Sequence, residues 1–277
     1  MDSMPAYGRP VPFTKMHGLG NDFVIIDARG TKTSLSDEAV RALADRRRGI
    51  GCDQLIVLRD GGDADGLMEI RNANGSEVAA CGNATRCIGR MLMAESGRDS
   101  ASIRTRAGLL TARAGGDDTV CVNMGPARTD WQAVPLVRAM DTVTLNYARG
   151  PLSAPGAVNM GNPHAVFFVD DADAVDLATL GPEIETDPLF PEKVNVSVAT
   201  VNGQNIRLRV WERGVGLTQA CGTAACAALV AAHRKGLTGR RGGVLLDGGR
   251  LEIDWLADGT VEMTGPATYA FTGEVRL

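Results

Sequence analysis

Short apolar runs separated by Gly, Asp and Asn dominate the pattern of the chain, and they predict many strands and few helices. Runs rich in Val, Ile and Phe follow Asn21 and Asn162, and β-branched runs begin at Gln54 and Asn195. Further strands are predicted in IRTRAG, LLTARA and TVCVNM, and again in GVLLDG, RLEIDWL and TVEMT. Because strands predominate and connections are short, the pattern favours mixed or antiparallel sheets over alternating strand–helix units.

Two helices are predicted, and each begins just after an Ala-Cys-Gly turn. The second, from Cys221 to Ala232, has no charged residue on any face, which is typical of a helix enclosed on all sides. We expect basic residues in its last turn and Gly236 as its cap. The first helix follows Cys81 and is expected to end at Gly97, with Arg86 and Arg90 as a polar stripe.

The chain also contains an internal repeat. Asn162 lies 141 residues after Asn21, and Asn195 lies 141 residues after Gln54. AACGNATRC matches QACGTAAC, and VNMGPA matches VEMTGPA, each at an offset of 140. Four anchors in one order predict two homologous units, residues 1–127 and 128–267, with a final strand at 268–277 joining the first unit. The segment TDWQAVPLVRAMDTVTLNYARGP between them is expected to be loop-like.

Composition narrows the classes of function. With 277 residues, 44% hydrophobic and 22% charged, the chain is long for a single core and favours two domains. A net charge of −4 and an aromatic content of 4% provide little for nucleic acid to bind. Since no apolar run approaches the roughly 20 residues of a membrane span and no leader is apparent, we expect a cytoplasmic protein with a small-molecule ligand and no membrane partner.

The cysteines point to chemistry. A cytoplasmic chain keeps its thiols reduced, so a disulfide framework is not expected. Cys81 and Cys221 precede helix N-termini, where unpartnered N–H groups bind anions and should lower a thiol pKa below the ordinary ~8.5. Glycine after each cysteine lets an anionic ligand approach the backbone. The remaining cysteines are interpreted as small buried hydrophobes: Cys52, Cys87, Cys121 and Cys226.

Two thiols related by a repeat suggest a narrower reaction. If the units face each other, the thiols approach one ligand from opposite sides while both helix N-termini point at its carboxylate. One thiolate can then remove a Cα proton while the other thiol returns a proton to the opposite face. No cofactor is required, because the lysines lack the context of a pyridoxal Schiff base: Lys15, Lys32, Lys193 and Lys235.

The stretches KMHGLGNDFVIID, RNANGSEVAACGNATRCIGR, MGNPHAV, KVNVSVA and VWERGVGLTQACGTAACAA resemble the diaminopimelate epimerase family, from Phe13 to about Phe271. The resemblance implies interconversion of LL- and meso-2,6-diaminopimelate for lysine and peptidoglycan synthesis. It implies that Cys81 and Cys221 are the acid/base pair, with no cofactor and no metal. It further implies an α/β fold of the α+β type, with two pseudo-symmetric domains, each a barrel-like mixed or antiparallel sheet around a central helix, and a homodimer.

The resemblance also implies a set of ligand contacts and two residues that tune the thiols, His164 and Glu212. The implied contacts are Asn21, Gln54, Asn72, Gly82, Asn83, Asn162, Asn195, Glu212, Arg213, Gly222 and Thr223. The repeat equates Asn72 with Glu212, and this asymmetry suits a substrate inverted at one end and held at the other. Arg213 can fork onto a distal carboxylate, with Asn72 and Asn195 beside it, while Glu212 accepts from a distal ammonium.

Other interpretations stay open on the residues alone. A proline or hydroxyproline racemase shares the two-thiol logic, although the ACGN, GNPH and ERG motifs argue against it. An isomerase of the phenazine-pathway type is expected to lack one of the two thiols. A non-catalytic amino-acid-binding module would bind the amino acid without turning it over, so an activity assay distinguishes it from an enzyme. A zinc site is disfavoured because the cysteine spacings do not form C-x2-C knuckles. The Gly-rich stretches after Gly18 and Gly214 lack the third glycine of a dinucleotide fingerprint.

Overall fold

A computed structural model describes residues 10–31, 33–79 and 81–276, and the chain divides into two compact units. The first unit contains the chain up to Val120 and again from Pro266, and the second spans Cys121–Gly265. Residues 121–127, which the sequence analysis places in the first unit, therefore lie in the second. The final strand, Thr268–Arg276, pairs antiparallel with the strand Pro10–Gly18 of the first unit.

Both units consist mostly of strands. The first contains β1 (Pro10–Gly18), β2 (Asn21–Asp27), α1 (Asp37–Ala44), β3 (Gln54–Arg59), β4 (Gly66–Asn72), β5 (Glu77–Val78), α2 (Gly82–Ser96), β6 (Ser100–Thr105), β7 (Gly108–Ala114) and β19 (Thr268–Arg276). The second contains β8 (Thr119–Pro126), β9 (Ala148–Arg149), β10 (Leu152–Ser153), β11 (Gly156–Asn159), β12 (Pro163–Phe168), α3 (Leu177–Glu185), β13 (Asn195–Asn202), β14 (Asn205–Glu212), β15 (Gly216–Thr218), α4 (Gly222–Arg234), β16 (Arg241–Leu246), β17 (Gly249–Trp255) and β18 (Thr260–Pro266).

Strand pairing is the same in the two units. In the first, β1 is antiparallel to β2, β2 is parallel to β3, β3 is antiparallel to β4, β4 is parallel to β6, and β6 is antiparallel to β7. The second unit repeats this order of directions with β11, β12, β13, β14, β16 and β17. The register repeats too, because Phe23 pairs with Gln54 and His164 pairs with Asn195. The predicted fold of two similar domains with mixed sheets is confirmed.

Each unit has a second, shorter helix that the sequence analysis does not predict. Parallel neighbours such as β2 and β3 need a crossover connection, and α1 provides it. Ser36 caps α1 by accepting from the N–H of Ala39 at 3.1 Å. In the second unit α3 connects β12 to β13 and contains Pro182, a residue that normally marks a helix boundary in a sequence. Helix α1 is only eight residues long and α3 contains a proline, so neither forms a long periodic segment.

The long helices carry the cysteine turns. Helix α4 contacts β11, β12, β13, β14, β16 and β17, and the whole run from Ala224 to Ala232 is buried, as predicted. Its C-cap is Lys235, one residue before the predicted Gly236. Helix α2 ends at Gly97 in the left-handed region, also as predicted. Within the described residues, none of the helices is both long and apolar enough to cross a membrane.

The predicted polar stripe on α2 is only partly correct. Arg90 is partly exposed, but Arg86 is completely buried, and its Nε donates to the Pro266 carbonyl at 3.2 Å. Burial of a guanidinium requires hydrogen-bond partners, and the returning C-terminal segment supplies one of them. Charge alone in a sequence does not reveal such a partner.

The segment expected to be loop-like, residues 129–151, packs firmly into the second unit. It has little regular structure, but Val134, Leu136 and Leu145 are buried in one core with Phe167 and Val196. These apolar side chains anchor an irregular backbone, so the segment is part of the second unit rather than a flexible linker.

Close packing between α2 and β7 supports a first prediction. A Cβ on Gly89 would lie 2.4 Å from the Cβ of Ala112. We expect Gly89→Val to lower the free energy of unfolding by about 1–3 kcal/mol, because the core has no space for the side chain. Urea unfolding measures this effect. Gly116→Val is the matched control, since no atom lies within 4 Å of its Cβ position, and equal stability of both variants would contradict the packing.

Candidate active site

Cys81 stands at the start of α2. Its backbone is extended, with φ −147° and ψ 114°, and Gly82 is the first helical residue. The Cys81 carbonyl accepts from both the N–H and the hydroxyl of Thr85, each at 2.9 Å. The thiol therefore lies beside a helix end whose first N–H groups have no partner within the helix. Its side chain is partly accessible to solvent.

Cys221 has the equivalent position at the start of α4. Its backbone angles are φ −129° and ψ 108°, close to those of Cys81, and its carbonyl accepts from Ala225 N–H at 3.1 Å. The Sγ lies 3.5 Å from the hydroxyl of Thr223. Unlike Cys81, Cys221 is buried. The repeat thus reproduces the backbone of the turn but not the exposure of the thiol.

The resting Cys221 thiol does not follow the predicted pKa direction. Burial raises the pKa of Cys221 well above its ordinary value, and the negative charge of Glu212 raises it further. Hydrogen bonds from Thr223 and from the Ala224 N–H act in the opposite direction but are outweighed. The prediction from the helix N-terminus alone is therefore wrong for this cysteine, which is a neutral thiol near pH 7.

Glu212 is held next to that thiol. It ends β14 and pairs with Gly216 of β15, and its carboxylate accepts from the Thr218 hydroxyl at 2.6 Å. Its hydrogen bond to Cys221 is one reason why the pKa of Cys221 is raised. The sequence analysis predicts two roles for Glu212, to tune a thiol and to accept from a distal ammonium, and this contact is of the first kind.

His164 is completely buried in β12 and is uncharged. Burial lowers its pKa to about 3, and the nearby positive charge of Arg213 contributes in the same direction. Its Nε2 lies 2.9 Å from the Oδ1 of Asn162, while Nδ1 is buried with no hydrogen-bond partner among the described residues. Of the two residues expected to tune the thiols, Glu212 acts on Cys221 through its charge, while His164 is uncharged.

Asn195 organises the loop that contains Arg213. Its Oδ1 accepts from the Arg213 N–H at 3.0 Å and its Nδ2 donates to the Pro163 carbonyl at 2.8 Å. The guanidinium of Arg213 donates to the Glu192 carbonyl at 2.7 Å. Asn195 therefore fixes the loop in place. Its side-chain amide keeps one N–H and one oxygen lone pair for a ligand.

Glu185, which the sequence analysis does not single out, holds the same loop from α3. Its carboxylate accepts from the Gly214 N–H at 3.0 Å and from the indole N–H of Trp211 at 2.7 Å. Burial would raise the pKa of Glu185, but these hydrogen bonds and nearby Lys193 outweigh it and keep the pKa below its usual value. No local motif marks this residue, because its partners are distant in sequence.

Glu185→Gln should lower the free energy of unfolding by about 1–3 kcal/mol. The two carboxylate oxygens accept from the Trp211 indole and the Gly214 N–H, whereas a carboxamide has only one oxygen, so its NH2 group must face one of these donors. Thermal or urea unfolding measures the loss. The matched control is Glu183→Gln, which removes the charge of a partly exposed carboxylate on the same helix. If both variants are as stable as the parent, Glu185 does not hold the loop.

In the first unit, the predicted contact residues form two hydrogen-bonded amide pairs. Gln54 begins β3 opposite Asn72 at the end of β4, and its Nε2 donates to the Asn72 Oδ1 at 3.1 Å. Asn83, the second residue of α2, donates from Nδ2 to the Asn21 Oδ1 at 3.0 Å. Two buried oxygens, Gln54 Oε1 and Asn83 Oδ1, have no partner among the described residues. Both are acceptors to which a ligand can donate.

The other cysteines divide three to one. Cys52, Cys87 and Cys226 are buried, as predicted, and burial raises the pKa of Cys52 to about 11 and of Cys87 to about 12. Cys121 is only partly buried, and its Sγ lies 3.6 Å from the Glu262 carboxylate. Cys121 lies on the partly exposed face of β8. The apolar residues next to it in the sequence do not indicate this exposure. Within the described residues no cluster of three or more His, Cys, Asp and Glu is arranged to hold a metal.

Solved structures share the fold. A phenazine biosynthesis protein of the PhzF family from Bacillus anthracis superposes with a TM-score of 0.68 at 15% identity, covering 97% of this chain and 100% of that chain. A hydroxyproline epimerase from Agrobacterium vitis superposes with a TM-score of 0.66 at 16% identity, covering 97% and 93%. At these identities the likeness shows the fold alone.

Sequence relatives are much closer. A diaminopimelate epimerase from Rhizorhabdus wittichii is 56% identical over 269 residues, covering 96% of each chain. Another from Rhodospirillum centenum is 54% identical over 266 residues, covering 95% of this chain and 91% of that protein. The sequence profile of the family described as diaminopimelate epimerase matches residues 13–129 and 156–270. This chain therefore belongs to the diaminopimelate epimerase family.

Proposed function

We propose that the chain interconverts LL- and meso-2,6-diaminopimelate by proton transfer through two thiols, Cys81 and Cys221, without a cofactor. Family membership supports the reaction class, an isomerase acting on diaminopimelate. The observation that carries the mechanism is the duplicated turn, in which each cysteine precedes the first residue of a helix with nearly the same backbone angles. Two such turns are what an inversion needs, because a proton must leave one face of a carbon and return to the other.

The proposed step conserves atoms and charge. A Cys81 thiolate removes the Cα proton, so the C–H bond breaks and its electron pair moves into the carboxylate of the substrate. Helix N–H groups stabilise this charge. The Cys221 thiol then donates its proton to the opposite face of the carbon and becomes the thiolate. The raised pKa of Cys221 favours this role, since it keeps a proton on the sulfur at rest. The reverse reaction exchanges the two roles.

The remaining site residues are proposed to bind substrate. Glu212, beside Cys221, accepts from the ammonium at the reacting carbon, while Arg213 holds the distal carboxylate. Helix N–H groups at Gly82 and Gly222 face the reacting carboxylate. The other proposed contacts are Asn21, Gln54, Asn72, Asn83, Asn162, Asn195 and Thr223, with His164 as a neutral neighbour.

A homodimer in the cytoplasm is also proposed, on the strength of the family resemblance. The exposed aromatic side chains Tyr269 and Phe271 on β19 support an association surface on the first unit. Light scattering coupled to size exclusion tests the mass, and a monomer over the working concentration range would overturn the homodimer.

The substrate is tested directly with purified protein. LL-diaminopimelate, L-proline and trans-4-hydroxy-L-proline are incubated separately, and the stereoisomers are separated by chiral chromatography. We expect meso-diaminopimelate to form and both proline compounds to stay unchanged. Racemisation of proline would favour the racemase alternative, and binding of diaminopimelate without turnover would favour an amino-acid-binding module.

A further inference from the structure

We propose that Asp53 is a positioning residue that sets the direction of a carboxamide relay, so that Asn83 presents an oxygen to the substrate's α-ammonium group. The relay runs from the Asp53 carboxylate through Asn21 to Asn83, which follows Cys81 by two residues. The proposal rests on the proposed function and adds the group that recognises the ammonium from the first unit.

The Asp53 carboxylate is held by contacts around both oxygens. Its Oδ2 accepts from the Asn21 Nδ2 at 3.0 Å and from the Asp22 N–H at 3.1 Å. Its Oδ1 accepts from the guanidinium of Arg46 at 2.7 Å, and its own backbone N–H donates to Asp22 at 2.9 Å. Asp53 is thus fixed in place although its side chain is partly exposed.

A carboxylate fixes the direction of each amide in the relay, because it accepts hydrogen bonds and donates none. Asn21 must turn its Nδ2 to Asp53 and its Oδ1 to Asn83. Asn83 must then offer its Nδ2 to Asn21, at 3.0 Å, and keep its own Oδ1 for another donor. The relay therefore makes the free end of Asn83 an acceptor.

That acceptor has no donor within the described residues. Asn83 is 4% exposed, and its Oδ1 is buried without a hydrogen-bond partner. Buried acceptors in native proteins are nearly always paired, so this oxygen calls for a ligand donor. Of the two groups on the reacting carbon, the ammonium carries N–H donors and the carboxylate carries none. The chemistry of the orphaned oxygen thus selects the ammonium.

Arg46 and Lys15 surround the carboxylates at the start of the relay with positive charge. Arg46 bridges Asp53 and Asp22, and Lys15 donates to Asp22 from the other side. Burial would raise the pKa of Asp22, but the hydrogen bonds from Arg46 and Lys15 outweigh it and hold the pKa far below its usual value. The Asp22 carboxylate is consequently available as the acceptor that holds the Asp53 backbone N–H.

Reversal of the relay is the sharpest test. Asp53→Asn should lower kcat/KM for diaminopimelate by about tenfold or more, because an amide no longer fixes the direction of Asn21. Asn83→Asp should also lower it, because two acceptors then face each other. In the double variant Asn21 can turn over and donate to the carboxylate introduced at position 83, so kcat/KM should be at least about fivefold above that of Asn83→Asp alone. If the loss of kcat/KM in the double variant equals the product of the losses in the two single variants, the proposal is overturned.

Three further measurements distinguish the proposed role of Asp53, which is to orient the amides of Asn21 and Asn83, from a purely structural role. Inhibition by pimelate, which has carboxylates but no ammonium, should be unchanged in Asp53→Asn, and a parallel loss of pimelate binding would count against the relay. Asp63→Asn, which removes an exposed carboxylate of the same unit, should leave activity intact. The melting temperature of the double variant should exceed the value expected from additive single changes. This last coupling tests the relay even if the parent protein fails to turn over diaminopimelate, which would refute the proposed function instead.

Discussion

Cys221→Ala is expected to lower kcat for diaminopimelate epimerisation by about 10³-fold or more, and Cys81→Ala by a similar factor. General acid–base groups contribute roughly 10²–10⁴-fold, and neither half of an inversion can proceed without its thiol. Because both thiols serve one reaction in the proposed mechanism, the double variant should be little worse than either single variant. Chiral chromatography of LL- and meso-diaminopimelate at saturating substrate measures these rates.

The same helices provide matched controls. Cys87 on α2 and Cys226 on α4 are buried cysteines a short distance beyond the two turns. Replacement of either by alanine removes one buried sulfur and should cost about 1 kcal/mol of stability, with turnover within a few-fold of the parent. If Cys221→Ala or Cys81→Ala retained near-normal turnover, the two-thiol mechanism would be refuted.

Glu212→Gln is expected to change two measurements in opposite directions. The negative charge of Glu212 raises the pKa of Cys221, so its removal should lower that pKa and speed alkylation of Cys221 by iodoacetamide at a fixed pH. Epimerisation should fall by about 10²-fold or more, because the carboxylate that contacts the thiol and is proposed to bind the ammonium is lost. Peptide mass mapping measures the alkylation of Cys221 separately from that of the other cysteines.

Glu252→Gln is the control for this pair of measurements. Glu252 lies on β17 of the same unit, is partly exposed and is paired with Arg250. Its replacement should change neither alkylation nor turnover. Slower alkylation of Cys221 in Glu212→Gln would contradict the electrostatic role, and unchanged epimerisation would remove Glu212 from the reaction.

Local chemistry explains which parts of the fold are readable from the sequence. The strands that begin at Asn21, Gln54 and Asn195 carry strong β-branched runs, and the charge-free run of α4 leaves no surface-facing side. By contrast, α3 contains Pro182, and its place follows from the need to connect parallel strands rather than from periodicity. Long-range constraints of this kind are absent from any local window.

The site shows the same division. The Ala-Cys-Gly turns locate both thiols, because a helix start after a strand is a local signal. The direction of the Cys221 pKa is not local, since it depends on burial and on Glu212 arriving from β14. Asp53 and Glu185 are also invisible in the sequence, because each acts through partners such as Asn21 and Gly214 that are about thirty residues away.

The fate of the transferred proton tests the two-thiol mechanism most directly. LL-diaminopimelate is incubated with the enzyme in deuterated water. At early times the product and the remaining substrate are separated, and the deuterium content of each is measured by mass spectrometry. In the proposed mechanism one thiol removes the substrate's proton and the other supplies a solvent-derived deuteron. The meso product should therefore carry one deuterium at the inverted carbon, while the remaining substrate carries none. A product that retains the original proton, or a substrate pool that gains deuterium as fast as product forms, would contradict proton transfer through two separate thiols.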